Sequence, residues 1–263
     1  FSRKSAIKEG FLAEKIQVVY NGVDIEKFKP NRQNKNLLRK KYNIPQEAFT
    51  MIIVSRIKNL RNKGHQHLLD VLKNYEVSKK WHLVVIGKGK GFSDLKKKIK
   101  EYHLQDRVHL LGHKTDVENY IDIADVMVLP SYFETFGLVL AEGMAMQKPA
   151  IAFNVGGISE VISDKETGFL VKYNDDDDLV NKINILAQDK DLCSKMGINA
   201  RKKVEKDRLK HQKEVVYCPT KPSEIFMSGA LNPFPVEELK RRREELLEKG
   251  DIGKKVTLIQ DNT

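Results

Sequence analysis

The chain has 263 residues, 40% hydrophobic and 32% charged, with a formal net charge of +11 at pH 7 and two cysteines. That is enough chain for one sizeable core and a second small unit, and no apolar run approaches the roughly 20 residues that span a bilayer. Cys193 and Cys218 stand alone with no metal-ligand spacing, which argues against a zinc site or a disulfide framework. With no secretory leader at the start of the sequence, a reducing, cytoplasmic setting is expected.

The basic excess is uneven. Residues 1–128 hold 26 basic against 14 acidic side chains, a charge of +12, whereas 129–210 carry −1 and 211–263 carry 0. A basic half offers a face to anionic ligands, nucleic acid or an acidic membrane surface, or is simply a solvated lysine-rich surface. Residues 1–16 read as a basic amphipathic helix and a turn, 16–20 as a short strand ended by Asn21-Gly22, and 23–50 as a polar stretch with a helical patch over 37–42 and Pro45 as a breaker. A regular alternation follows. Strands are expected over 51–55, 82–86, 108–111, 126–129, 150–153 and 169–171. Helices are expected over 65–75, 93–103, 117–124, 137–146, 159–162, 177–187 and 192–206. Short apolar strands alternating with helices argue for an α/β, Rossmann-like doubly wound parallel sheet covered on both faces. After residue 210 the pattern changes to a proline-rich stretch, a charged helix over 236–249 and a short apolar run over 256–259, read as an appended small mixed tail. The expected domains are thus 1–20, a linker or trailing edge; 21–210, the Rossmann-like domain; and 211–263, the tail.

The most informative stretch is 129–157, L-P-S-Y-F-E-T-F-G-L-V-L-A-E-G-M-A-M-Q-K-P-A-I-A-F-N-V-G-G. It reads as a strand end, a loop with Glu134, a helix with Glu142 in its middle, and a second strand. Thr135 or a neighbour would cap that helix, and its free N–H groups would face an anion. Two carboxylates beside an anion site suit a hydroxyl-rich ligand, because each accepts bonds from two neighbouring hydroxyls. The loop 55–64, S-R-I-K-N-L-R-N-K-G, places four cations after another strand, and Arg56 with Lys63 could hold a pyrophosphate. Gly87-Lys88-Gly89-Lys90-Gly91 follows a third strand and reads either as a ligand loop or as a tight turn. No hydrolase elbow, zinc-protease or P-loop motif is present, the seven histidines are scattered, and the acids at 175–178 read as a helix cap.

These motifs meet a known family. The segments Y-N-G-V-D-I-E-K-F-K-P at 20–30, S-R…K-G at 55–64, A-D-V-M-V-L-P-S-Y-F-E-T-F-G-L-V-L-A-E-G-M-A at 124–145, K-P-A-I-A-F-N-V-G-G-I-S-E-V-I at 148–162 and E-T-G-F-L-V at 166–171 resemble the carboxyl-terminal, nucleotide-sugar-binding half of retaining GT-B glycosyltransferases of family 4, group 1. The resemblance covers residues 1–208. It implies that Glu134 positions the donor sugar and that the backbone of Phe136, Gly137 and Leu138 lies by the sugar and distal phosphate. Glu142 would take the ribose hydroxyls, Arg56 and Lys63 the diphosphate, and His113 and Lys114 would edge the base. It implies a UDP- or GDP-hexose as donor, a glycan, lipid or small acceptor, and no metal or other cofactor. The spacing from Arg56 to Lys63 is longer than in the family pattern, which leaves Lys58 and Arg61 as alternative phosphate ligands. A missing amino-terminal domain is the implied partner, without which little or no transfer is expected. Peripheral contact at the inner membrane face is compatible with the basic half. The alternatives are a non-catalytic nucleotide-binding or regulatory module and a basic nucleic-acid-binding module; the second lacks interleaved aromatics, so no nucleic-acid partner is expected.

Overall fold

The computed structural model describes Ile7 and residues 22–211. The chain divides into two compact units, one of residues 25–205 and one formed by 1–24 with 206–263. The site and its framework belong to the first. The expected strand over 16–20 and the tail with its charged helix over 236–249 lie outside the described residues.

Six short strands form one parallel sheet: β1 (Phe49–Val54), β2 (Trp81–Ile86), β3 (Val108–Gly112), β4 (Val126–Leu129), β5 (Ala150–Phe153) and β6 (Gly168–Val171), in the order β3-β2-β1-β4-β5-β6. Phe49 faces Trp81 and Val54 faces Ile86 across β1 and β2, and Met51 faces Val126 across β1 and β4. The helices are α1 (Arg32–Lys41), α2 (His65–Asn74), α3 (Phe92–Glu101), α4 (Val117–Ile121), α5 (Leu138–Ala145), α6 (Ile158–Val161), α7 (Asp176–Gln188) and α8 (Lys190–His211). Parallel strands need crossovers, and helical crossovers cover both faces of the sheet. That is why β2, β4 and β5 are buried at every position, and β4 and β5 read as unbroken apolar runs while β2 holds one buried polar residue, His82.

The α/β, Rossmann-like sheet is the one the alternation predicts. Three local differences have physical reasons. β1 starts at Phe49 because Thr50, although polar, is buried with its N–H bonded to Asp125 and its hydroxyl to the Ala48 carbonyl. α4 stops at Ile121 because Ile123 and Ala124 bond to carbonyls three residues back, tightening the chain into a turn. A 3-10 turn, Glu76–Lys80, fills the step between α2 and β2. The acid run is a cap, and each acid has its own partner. Asp175 accepts the Asp178 N–H, Asp176 meets the His67 ring at 2.8 Å, Asp177 accepts the Tyr75 hydroxyl, and Asp178 pairs with Lys182.

At the amino edge of the sheet, Arg39 is 1% exposed and donates to the carbonyls of Ile123, Gln46 and Ala48. Its remaining nitrogen meets Asp125 Oδ2 at 2.9 Å, and Asp125 also takes Lys35 at 2.7 Å and the Thr50 N–H. Burial pushes the Asp125 carboxyl up, but Lys35 and Arg39 beside it hold it below the usual carboxylate range on balance. At the opposite edge, the order of strands makes β1 and β4 neighbours whose following connections diverge. The loops after these two strands therefore border the crevice in which ligands of such sheets sit.

Candidate functional site

The loops after β1 and β4 are fastened to each other. The Tyr132 N–H donates to the Asn62 carbonyl at 3.1 Å, and Gly64, at φ +80, lies so close to Pro130 that an added Cβ would stand 2.0 Å from its carbonyl oxygen. Only glycine tolerates both that torsion and that approach. Between the loops lies a cleft of about 250 Å³ whose lining includes Ser55, Arg56, Lys63, Glu134, Gly137 and Leu138.

The long spacing between Arg56 and Lys63 is spanned by a turn. Asn59 Oδ1 accepts the backbone N–H groups of Arg61 and Asn62 at 3.0 and 2.8 Å. This turn takes up the extra length, leaving Lys58 and Arg61 exposed and outside the lining while Arg56 and Lys63 return to the cleft. The loop Gly87–Gly91 supports it from behind: Ile57 N–H donates to the Lys88 carbonyl and Gly91 N–H to the Ile57 carbonyl, and Cβ atoms on Gly87 and Gly89 would strike the carbonyls of Ser55 and Ile57. Its glycines serve backbone packing, the tight-turn reading.

Lys63 Nζ contacts Glu134 Oε2 at 2.5 Å, and Glu134 is 14% exposed. The Thr135 N–H donates to the other carboxylate oxygen. Behind this loop the Gly157 N–H bonds the Glu134 carbonyl, and a Cβ on Gly156 would lie 1.8 Å from that same oxygen. The expected cap of α5 is corrected: the N-cap is Gly137 at φ +87, with no side-chain bond from Thr135 or another residue. No side chain occupies the first N–H groups of α5, and the residues that start it, Gly137 and Leu138, line the cleft. Phe136 is half-buried and outside the cleft lining.

Glu142 lies one turn further along α5 and is half-buried. Burial pushes its carboxyl up to about 7, with Lys27 opposing and Glu118 adding to the rise. Among the described residues none donates a hydrogen bond to it. His113 and Lys114 stand beyond β3, on the far side of β1 and β2 from Glu134, where His113 is exposed and the Lys114 ammonium sits 4.8 Å from the Tyr120 ring centroid. They connect to the site through α4, which packs on α5. Arg56, Lys63, Glu134, Gly137 and Leu138 are thus brought to one cleft, and Glu142, His113 and Lys114 extend away from it.

Four residues that sequence reading passed over belong to this surround. Ser55 closes the floor, and its Oγ is 3.3 Å from Nε2 of His65. His65 is buried, its other ring nitrogen has no hydrogen-bond partner among the described residues, and burial lowers its pKa to about 4. Lys27 and Glu118 flank Glu142. A histidine directly after the Lys63-Gly64 pair was the only local signal. Among the described residues no group of three or more His, Cys, Asp and Glu is placed to hold a metal ion.

Residues 34–203 match the family model described as glycosyl transferases group 1. The chain belongs to the group 1 glycosyltransferases. It is 31% identical over 206 residues to the N-acetyl-alpha-D-glucosaminyl L-malate synthase of Bacillus anthracis, a match that takes in 77% of this chain and 53% of that protein. It is 30% identical to the UDP-Gal:alpha-D-GlcNAc-diphosphoundecaprenol alpha-1,3-galactosyltransferase of Escherichia coli, over 72% of this chain and 49% of that one. Among solved structures, Anabaena HepE in complex with UDP and glucose superimposes with a TM-score of 0.73 at 26% identity, covering 81% of this chain and 59% of that one. This group 1 chain therefore spans about half the length of the curated relatives it matches. Its parallel sheet is the Rossmann-like half of a GT-B glycosyltransferase.

Proposed function

We propose that residues 25–205 form the donor-binding domain of a retaining glycosyltransferase that draws a hexose from a UDP- or GDP-sugar and delivers it to a glycan, lipid or small acceptor. The observation that carries this is the meeting of Arg56, Lys63 and Glu134 in one cleft at the β1–β4 switch point, with Glu142 one turn further along α5. HepE, of like fold, is seen with UDP and glucose, which supports the assignment. Arg56, which makes no hydrogen bond or ion pair with another described residue, takes the diphosphate as a planar fork. Lys63 shares its charge between Glu134 and the phosphates. As the sugar–phosphate bond breaks, negative charge grows on the diphosphate, and these two cations stabilise it there. Glu134, held by Lys63 and the Thr135 N–H, accepts from donor-sugar hydroxyls and is a positioning group, not a proton carrier. The start of α5 offers its N–H groups to the sugar and distal phosphate, Glu142 takes the ribose hydroxyl pair, and the backbone at His113 and Lys114 edges the base. The acceptor side of the cleft is assigned to a further domain, for which the relatives' additional length leaves room.

A titration of the purified chain with UDP-glucose and GDP-mannose, read as melting temperature, tests the donor assignment. A ligand at a hundred times its Kd adds about 2.7 kcal/mol of stability. We expect one of the two to raise the melting temperature and Glu142→Ala to abolish the rise. No shift with either sugar nucleotide sinks the reading.

A further inference from the structure

Glu142 does not stand alone. Glu118 lies on α4, which packs against α5, the helix that carries Glu142. Lys27 Nζ is 3.6 Å from Glu118 Oε2, an ion-pair contact beyond hydrogen-bond length. That oxygen is buried and receives no hydrogen bond from a described residue. Lys27 is therefore its compensating charge, and Lys27 attracts Glu142 as well, while Glu118 repels it. One exposed ammonium thus acts on two part-buried carboxylates. Among the described residues, Lys27 and Glu118 are the charged groups that act on Glu142. The strands beneath α5, β4 and β5, carry only apolar side chains, and Arg201 meets α5 at its far end through the Ala145 carbonyl.

We infer that Lys27 and Glu118 are positioning residues for Glu142, fixing together whether its carboxylate is ionised and ready to accept a pair of ligand hydroxyls. The inference rests on the donor-binding reading of the cleft and deepens it. A carboxylate accepts two hydroxyl hydrogens only in its ionised form; protonated, it offers a donor where the ligand also presents donors. Two carboxylates in one corner cannot both ionise cheaply, so the lysine must stay near both. Removing Glu118's charge removes its repulsion of Glu142 and favours the ionised form. Removing Lys27's charge leaves Glu142 opposed by burial and by Glu118.

The test is calorimetric binding to the whole chain between pH 5.5 and 8.5. The probe is whichever of UDP-glucose and GDP-mannose binds, since neither titrates its phosphates in that range. In the parent chain the affinity is expected to rise with pH and level off near 7, changing by up to about tenfold per pH unit below the break. Glu118→Gln, nearly isosteric, should move the break to lower pH, and Lys27→Met should move it to higher pH. The same probe with a 2′,3′-dideoxyribose should bind weakly with no break. If the probe binds but both variants keep the parent's break, the positioning role of Lys27 and Glu118 is overturned and the cleft assignment stands. If neither sugar nucleotide binds the parent chain, the cleft assignment itself fails and takes this inference with it. Because the two variants shift the break in opposite directions, a loss of folding in one leaves the other decisive.

Discussion

The two edges of the sheet use the same kinds of side chain to opposite ends. At the amino edge, Arg39 spends its guanidinium on four carbonyls and on Asp125, and Asp125 is completed by Lys35 and the Thr50 N–H. At the carboxyl edge, Arg56 is exposed and makes no hydrogen bond or ion pair with a described residue, Glu142 is half-buried and receives no hydrogen bond from one, and a buried ring nitrogen of His65 has no hydrogen-bond partner among them. Native proteins pair nearly all their buried polar groups within the fold. The amino edge is closed on itself, whereas Arg56 and Glu142 keep hydrogen-bonding capacity that no described residue uses.

Breaking the closed edge has the largest expected effect. Asp125→Ala leaves Arg39 buried without its counter-charge, and removing one partner of a buried pair costs about 3–5 kcal/mol. Urea denaturation with an unchanged m-value measures it. The dependence on pH has a definite sign: the folded carboxyl is held low, so its contribution is full above the ordinary carboxylate pKa and is lost as pH falls through the folded value. A loss below about 1 kcal/mol, the level of a surface ion pair, would show that the network is structural decoration and would erase the contrast between the edges.

The contrast also explains what could be read from the sequence. The strands were legible because a parallel sheet buries both faces and leaves unbroken apolar runs such as Val126–Leu129. Glu134 and Glu142 were legible because they sit in one local strand–loop–helix motif. The bond from Lys63 to Glu134 joins residues 71 apart in sequence and follows from the strand order, which no local pattern encodes. Lys27 and Glu118 were illegible for the same reason, each being an unremarkable charge in its own segment. Gly87, Gly89 and Gly91 illustrate the reverse: a glycine-rich loop at the ligand edge invites a ligand role, yet their Cβ positions would strike the backbone at Ser55, Ile57 and Asn59. Glycine demanded by a neighbouring chain and glycine demanded by a ligand look alike until the packing is known.

A middle-sized effect comes from removing the unspent charge at the other edge. Glu142 has a folded pKa raised from 4.5 to about 7, so its stabilising contribution is full below the unfolded value and is lost as pH rises through 7. Ionising it at pH 8 then costs the fold about 3 kcal/mol by the linkage of pKa to stability. Glu142→Gln, neutral at every pH, is expected to be more stable than the parent at pH 8 by about 2–3 kcal/mol and nearly equal at pH 4.5, while losing its response to sugar nucleotides. Equal stability of the two proteins at pH 8 would mean that Glu142 is solvated like an ordinary surface carboxylate.

The smallest effect on the fold should accompany a large one on binding. Arg56 is exposed and its guanidinium is held by no described residue, so Arg56→Gln should change stability by no more than about 0.5 kcal/mol. A charge-assisted bond to phosphate contributes about 1.5–3 kcal/mol, which corresponds to a fall in sugar-nucleotide affinity of about tenfold to a hundredfold. Lys63→Met is a poorer probe of the same point, because its loss also unpairs Glu134 and mixes scaffold with ligand. Arg56 separates them. If Arg56→Gln unfolded the chain, Arg56 would belong with Arg39 as a scaffold cation; if it left both stability and affinity intact, the diphosphate would have to be held by Lys63 and the start of α5 alone.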